Sequence, residues 1–578
     1  MPGQRRLGRG GEEGVQRLKG LAKLDRRHVL IPLVVAIGLA GGLASFAISR
    51  ADTPTAPLEP DDVAATVGRP EPDDADTTVA QSEPEDTAQD RCTPTGDGGD
   101  GDCGSELKRA SSVSQYGITW TFSSERPVGQ FANGDWWVQG PVTIIDITPA
   151  YDSNARDHGW MVNPSSTSAH GFDGEALDFD ASLVPTLPYD ASAGQSIVKA
   201  ISISGGCNGK TCLQRAAVLT VMGGVPPANG VASFRPPYYG NDKPLFSTDD
   251  MDANLSILPR LSPTAEIDAS SPTLAVARDS VNSVQLGHIP DWTGDEIHPI
   301  DNFGGLVDPY GPDVSNVNVE SFLRMLIVKP GDSEADRRQV AVALTQYGID
   351  IYAQRAAGVK WPATGGIDLG FKLPAAFAGL ILNSQTVKDT IADSPRDAFA
   401  ESGQVLPAST TQPGVPLWGQ PTGPESEYWT DLTDQATRTI VDPYRIIDGG
   451  AVPGQWYQGC CTAQAMKGSA LVVRLIPGLS EVWNDDANLQ YSDRWVDQGT
   501  WTQPDPCAPV SQGGGPDPSR PDECVLDPDL AGGSTFTSYS CQADKECGRF
   551  PELHGSSKDD GSHSSPLVDA AWLAYRNW

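Results

Sequence analysis

The chain is poor in positive charge: 41 Lys and Arg stand against 75 Asp and Glu, for a net charge of −34. Such a surface repels nucleic acid and anionic lipid alike, so no nucleic-acid partner is expected, and a polyanionic ligand would need a local basic groove. The decisive catalytic signatures are missing as well. There is no nucleophile elbow, no Walker loop and no H-E-x-x-H, so no reaction class is fixed by motif. A G-x-G-x-x-G match at residues 96–101 (GDGGDG) sits in acidic sequence with no strand before it, and is read as chance. Seven scattered histidines and Cys207/Cys212 without a second pair at zinc-finger spacing leave no metal site, and no cofactor is expected. No repeat of fixed period is visible.

One run lacks charge altogether. Residues 29–49 (VLIPLVVAIGLAGGLASFAIS) are long enough to cross a hydrocarbon core of about 30 Å as a helix. The 28 residues before it carry eight Lys or Arg against three acids, so this basic tail is expected in the cytoplasm and everything after it outside the cell membrane. A cleaved signal peptide would have a shorter apolar region ending in a small-x-small site, and SRAD at 49–52 is a poor one. The reading is a single-pass transmembrane anchor. All ten cysteines lie on the exported side, where an even count reads as disulfides. The close pairs are Cys92 with Cys103, Cys207 with Cys212, and Cys541 with Cys547. Adjacent Cys460 and Cys461 fit separate partners better, Cys507 and Cys524 being candidates.

Residues 50–112 are rich in Pro, Asp, Glu, Thr and Gly and nearly free of aromatics, so they cannot bury enough apolar surface to order themselves and are read as a disordered, acidic stalk. An α+β fold is expected beyond it. Residues 113–314 hold β-branched or aromatic runs at 117–122, 136–138, 142–148, 196–204 and 216–222, bounded by Gly, Pro, Asn and Asp, which suit a β-sandwich. Near Asn316 the period changes. Ser333 and Asp336 resemble a capping box, Val340, Leu344, Tyr347 and Ile351 recur at helical spacing, and Gly358 is a fitting stop. Further helices are expected at 319–328, 374–382, 463–476 and 566–576, making 315–507 a compact helical part. Residues 508–565 read as a Gly/Pro/Ser-rich loop tied by disulfides, and 566–578 as a C-terminal helix.

Candidate site residues come as clusters. Tyr347 and Asp350 share a helix face; the alternative is a core tyrosine with an aspartate at its rim. The turn 361–374 (WPATGGIDLGFKLP) offers Trp361, Asp368 and Lys372, a set that can hold a sugar by stacking and charged hydrogen bonds, or else an Asp368 to Lys372 surface pair. Segment 483–495 (WNDDANLQYSDRW) concentrates Trp483, Asn484, Asp485, Tyr491, Asp493, Arg494 and Trp495, as a sugar site or as a helix entry capped by Asn484 or Asp485. His298 lies in a loop (HPIDNF, 298–303) at the β-to-helix junction, a favoured place for clefts, although a lone loop histidine is often incidental.

Taken together, GITWTFSSERPVGQFANGDWWVQGPVTI, FRPPYYGNDKP, YGIDIY, GGIDLGFKLP, the Cys460/Cys461 helix start and WNDDANLQYSDRW resemble a group of bacterial secreted proteins. The helical part of that group is similar to the toroidal region of alginate- and heparin-type polysaccharide lyases. The resemblance spans residues 114–501 and implies a carbohydrate-active, lyase-like head with a polysaccharide ligand. In the group the Gly-Gly turn carries a histidine and an Arg-Lys pair follows it, where this chain has Ile367 and Phe371 with Lys372. Likewise Asn484 and Asp485 stand where His-Asp is common. For β-elimination, Tyr347 or Tyr491 would be base or acid and Lys372 or Arg494 would neutralise the uronate. A hydrolase would instead use two carboxylates from Asp350, Asp368, Asp485 and Asp493. The competing expectation is a non-catalytic surface protein that binds a glycan or an envelope partner.

Overall fold

Strand β2 (Ile118–Gln130) organises the first half of the fold. Its early residues alternate: Ile118, Trp120 and Phe122 are buried while Thr119 and Thr121 face outward, the period of a half-buried strand. Those residues pair antiparallel with β1 (Arg109–Gln115) on one side and β4 (Val142–Thr148) on the other, whereas Val128 to Gln130 pair with β3 (Trp136–Gln139). Through β3 the sheet continues by a parallel step into β8 (Leu213–Met222), and from there through β7 (Gln195–Ser202) to β5 (Trp160–Val162). Beyond β4 it ends at β6 (Tyr189–Ala191). The spatial order is β5-β7-β8-β3-β2-β4-β6, with β1 alongside β2. The two sheets of the expected sandwich are thus flanks of one curled, eight-stranded half-barrel, because a single 13-residue strand is shared by both.

The structure is a computed structural model that describes residues 107–207, 210–303, 310–410, 414–419, 458–498, 515–517, 520–525, 538–540 and 565–576. The 29–49 run and the 50–112 stalk up to residue 106 lie outside these, as do Cys92, Cys103, Cys541 and Cys547. Among the described residues no helix is long and apolar enough to cross a membrane. The expected Cys207–Cys212 disulfide is present, and Cys461 is disulfide-bonded as well. Within the stretch read as a loop, Gly515–Asp517, Arg520–Val525 and Ser538–Ser540 form a small antiparallel sheet.

Strands β7 and β8 are apolar on both faces. Ile197, Ala217, Leu219 and Val221 point into the hollow of the sheet with Trp120 and Trp160, while Val198, Ala200, Ala216 and Val218 belong to the core shared with the helices. That double burial welds the two halves into one unit. Helices begin well before Asn316, with α1 (Thr248–Asn254), α2 (Ala265–Ser270) and α3 (Leu274–Asn282). Ser247, Thr264 and Thr273 cap them by accepting backbone N–H bonds, a signal too short for apolar periodicity to reveal. Then follow α4 (Trp292–Ile297), α5 (Gly311–Leu326), α6 (Glu334–Ala356), α7 (Lys372–Ile381), α8 (Gln385–Ala392) and α9 (Ala400–Gly403). The last are α10 (Ala463–Leu475), α11 (Leu479–Trp483), α12 (Asp486–Gln498) and α13 (Pro566–Tyr575).

Helix α6 is the axis of the helical part. Ser333 caps it by accepting from Asp336 N at 3.0 Å, and the left-handed Gly358 follows its end, both as the sequence implies. From Val340 to Tyr352 every side of it is buried, against α3, α5, α7 and α8. Gly348 lets α7 approach: a Cβ there would meet the Pro374 carbonyl oxygen, so only glycine fits.

Candidate functional site

Helix α7 starts from the Gly-Gly turn 361–374, and its first turn is a meeting point for polar side chains from four other elements. Glu401, in α9, turns one carboxylate oxygen to the backbone N–H groups of Gly370 (3.1 Å) and Lys372 (3.3 Å), capping the helix with charge. The Gly370 carbonyl accepts from the Asn318 amide of α5 at 2.9 Å. The Glu401 carbonyl accepts from Asn488 of α12 at 2.8 Å. Lys372 lies over the Trp483 ring at 4.6 Å and donates to Ser402 Oγ at 2.7 Å. Asp485 accepts from Arg396 at 2.8 Å, and Arg396 also donates to the carbonyls of Ser402 and Val405.

Burial dominates the electrostatics of this cluster. It pushes the Asp368 carboxyl up to about 8 and the Lys372 ammonium down to about 8, the latter against the pull of Asp485 and Glu401. Glu401 is raised for the same reason, and the Tyr347 phenol is raised far above its usual range, so at neutral pH it is a hydrogen-bond donor and not a phenolate. Asp368 is the informative member. Its Oδ1 accepts from Asp291 N at 3.0 Å, and Thr364 lies within hydrogen-bond reach of the carboxyl. The second oxygens of Glu401 and Asp485 and both amide atoms of Gln404 are buried without a hydrogen bond among the described residues. Native interiors hold few such atoms, and a concentration of them asks for a reason beyond packing.

The Asp368 carboxyl is tied to the segment that carries an exposed tryptophan. Asp291, which donates to it, has φ +70 and ψ −164, a backbone region that side chains other than glycine rarely occupy. That residue sets up Trp292, which is 53% exposed and stacked on Tyr310 with centroids 6.2 Å apart and planes 18° from parallel. The Tyr310 hydroxyl accepts from Gly366 N at 2.7 Å, and a Cβ on Gly366 would collide with the tyrosine ring, so the Gly-Gly turn and the aromatic pair are fitted to each other. No protein-family model, curated protein or solved structure matches the chain.

Other residues singled out in the sequence are drawn into the core. Trp361 stacks between Phe371 (5.0 Å) and Phe399 (5.4 Å) and donates to Gly287 O at 2.7 Å. His298 stacks on Phe371, and burial holds its imidazole down to about 4. Trp483, Tyr491 and Trp495 are fully buried, Tyr491 accepting from Gln458 at 3.0 Å. Arg494 packs over the Tyr491 ring and donates to Pro416 O at 3.3 Å. These rings are core, and none of them forms the wall of an open cleft. Asp350 pairs with Arg235, Asp493 takes both arms of Arg474, and Asn484 is the αL cap of α11, donating to Ala392 O at 2.8 Å. Asp368 and Lys372 are both buried, and no surface pair forms between them. Among the described residues no group of three His, Cys, Asp or Glu is placed to hold a metal.

Sequence reasoning missed Trp292, Tyr310, Glu401, Gln404, Asn318 and Arg396. Trp292 carried a weak signal, an aromatic beside acids (DWTGDE) just ahead of the noted HPIDNF loop. Glu401 carried none, since its partners are brought to it only by folding.

Proposed function

We propose that this protein is a membrane-anchored, extracytoplasmic carbohydrate-active protein, held by the 29–49 run, that receives a sugar on the Trp292 and Tyr310 face and uses Asp368 as its proton donor. The observation that carries this reading is a carboxyl raised to about 8 whose backbone donor, Asp291, immediately precedes the exposed Trp292, itself stacked on Tyr310. At neutral pH such a group is mostly protonated and can give its proton to a glycosidic oxygen as the bond breaks. Glycosidic cleavage by elimination and by hydrolysis both need that step. In the lyase form, the toroid-type resemblance of the helical part is retained and Lys372 is the charge neutraliser, while Tyr347, held protonated by burial, is not available as the base. In the hydrolytic form, Glu401 is the second carboxylate.

A second reading is a non-catalytic protein that binds a glycan or an envelope partner. The burial of Trp361, Trp483, Tyr491 and Trp495 favours it, since the aromatic residues that would line a deep cleft are used for packing. The two readings separate on one experiment. Wild type and Asp368→Asn are incubated with uronate polymers and neutral polysaccharides, and both unsaturated product and new reducing ends are followed. Product from wild type and none from Asp368→Asn supports the enzyme. Binding without product in both supports the second reading.

A further inference from the structure

A concave surface lies away from the α7 site, where the half-barrel meets helices α3 and α6. It is a groove with a volume of about 410 Å3, within the range of small-molecule sites. Its sheet wall is Tyr116 and Trp136, and its helix wall is Asn282 and Gln339, with the ion pair of Arg278 and Asp279 at the rim.

The walls are fixed. Trp136 Nε1 donates to Ser114 O at 2.9 Å, which sets the plane of the indole. Tyr116 adopts φ +51, an outlier for an aromatic residue. Its hydroxyl accepts from Asn282 Nδ2 at 3.3 Å, and the same amide donates to Asn133 O at 3.0 Å. Both Asn282 donors are therefore engaged while its carbonyl oxygen has no partner among the described residues. The Gln339 amide has none on either atom, and burial and the nearby Asp135 keep the Tyr116 phenol protonated, with Gln115 also within hydrogen-bond reach of its hydroxyl. Below the floor, Asp135 is held by Arg235 at 2.6 Å, Gln115 at 2.8 Å and Asn133 at 2.8 Å, and because Arg235 is shared with Asp350 the group carries one carboxylate in excess.

The groove thus offers a fixed indole wall and both donors and acceptors of amide and hydroxyl type, while its charges, Arg278 and Asp279, cancel each other. A further cation, Lys108, lies over the Trp136 ring at 5.0 Å and is offset by the excess carboxylate of the Arg235, Asp135 and Asp350 group, so a nucleotide or uronate would bring charge to a balanced site, and a lipid chain would leave the amides unsatisfied. We propose that this groove is a binding site for an uncharged saccharide, whose hydroxyls take the Asn282, Gln339 and Tyr116 hydrogen bonds and whose ring packs on Trp136. The site is independent of the Trp292 and Asp368 site and stands or falls separately.

The test is binding of the full chain, in detergent, to immobilised neutral hexasaccharides of glucose and of N-acetylglucosamine, with a uronate hexasaccharide as comparison. Gln339→Trp fills the groove from a half-buried helix position and should abolish binding, while Gln339→Ala and Asn282→Ala should each weaken it about three- to tenfold, the worth of a hydrogen bond. All of these variants are made in the Trp292→Ala background, so that the Trp292 and Tyr310 face does not contribute to the signal. Absence of neutral-saccharide binding by the Trp292→Ala parent, binding by Gln339→Trp equal to that parent, or equal affinity for the uronate would each overturn the proposal. Unaltered melting of Gln339→Trp confirms that loss reflects the groove, and Asn282→Ala gives the same reading if that variant is unstable.

Discussion

Arg235 and Asp350 form a two-pronged ion pair in the interior, with NH1 to Oδ1 at 3.1 Å and NH2 to Oδ2 at 2.5 Å, both side chains at most 3% exposed. The same guanidinium reaches Asp135 through Nε, and the Arg235 backbone is clasped by Gln346 in both directions, 2.8 Å and 3.0 Å. Arg235 thereby pins the β2-to-β3 turn and the FRPPYYG segment to helix α6. Asp350, attractive in sequence as a catalytic carboxylate, is a structural anchor of the joint between sheet and helices.

Removing one partner of a buried pair leaves the other charge uncompensated, at about 3–5 kcal/mol. Asp350→Asn and Arg235→Met should each lower the urea midpoint by a corresponding amount, and joining both changes should recover part of the loss. Unfolding curves that match wild type for either single change would show that the pair does not hold the joint.

The three buried imidazoles predict acid sensitivity. His170 and His298 are held down to about 4 and His288 to about 3, all by burial, below the usual 6.5. Nδ1 of His170 accepts from Phe172 N, and Nδ1 of His288 faces the Tyr238 hydroxyl, whose oxygen accepts from Gln354, so a proton on either nitrogen would break a bond. Above pH 6.5 each is neutral folded or unfolded and has no effect. As the pH falls from 6.5 toward 4 the unfolded chain takes up protons first, and each histidine removes up to about 1.4 kcal/mol per pH unit. Urea unfolding between pH 4 and pH 7 should show this slope, and His288→Gln should reduce it by about one proton. An unchanged slope in that variant would contradict the assignment.

Asp368 behaves in the opposite sense. Its folded pKa of about 8 lies above the unfolded value of 3.8, so below pH 3.8 it is neutral in both states and its stabilising balance is lost as the pH rises toward 8. Asp368→Asn keeps the acceptor for Asp291 N and removes the charge. It should raise the melting temperature by roughly 2–5 °C at pH 8 and leave it unchanged near pH 4. A lower melting temperature at pH 8 would mean that the carboxylate is stabilised where it sits.

Much of the fold was legible in the sequence. The strand runs at 117–122, 136–138 and 142–148 and the α6 stripe of Val340, Leu344, Tyr347 and Ile351 are written in periods that local sterics and one-sided burial impose, and they recur as β2, β3, β4 and α6. The site was half legible. The Gly-Gly turn with Asp368 and Lys372 stood out because its residue types are unusual for a turn. Trp361 and Trp483 looked like sugar platforms, yet residue type does not tell an exposed ring from one sandwiched between Phe371 and Phe399. Glu401 meets Lys372 across 29 residues and Arg235 meets Asp350 across 115, relations that no local pattern encodes.

The proposed anchoring by the 29–49 run can be checked on cells. Protease added to spheroplasts should remove the folded head and leave the first 28 residues protected. Protection of the head would contradict an exported domain.

The central claim is that Trp292 receives a saccharide for Asp368 to act on. The most direct measurement is titration of wild type, Trp292→Ala and Asp368→Asn with the polysaccharide from which wild type releases product, binding and product being read in the same samples. The account predicts that Trp292→Ala loses binding by about tenfold or more, as removal of an aromatic anchor does, and that Asp368→Asn binds normally but yields no product. Equal binding by Trp292→Ala and wild type, or turnover by Asp368→Asn, would contradict it.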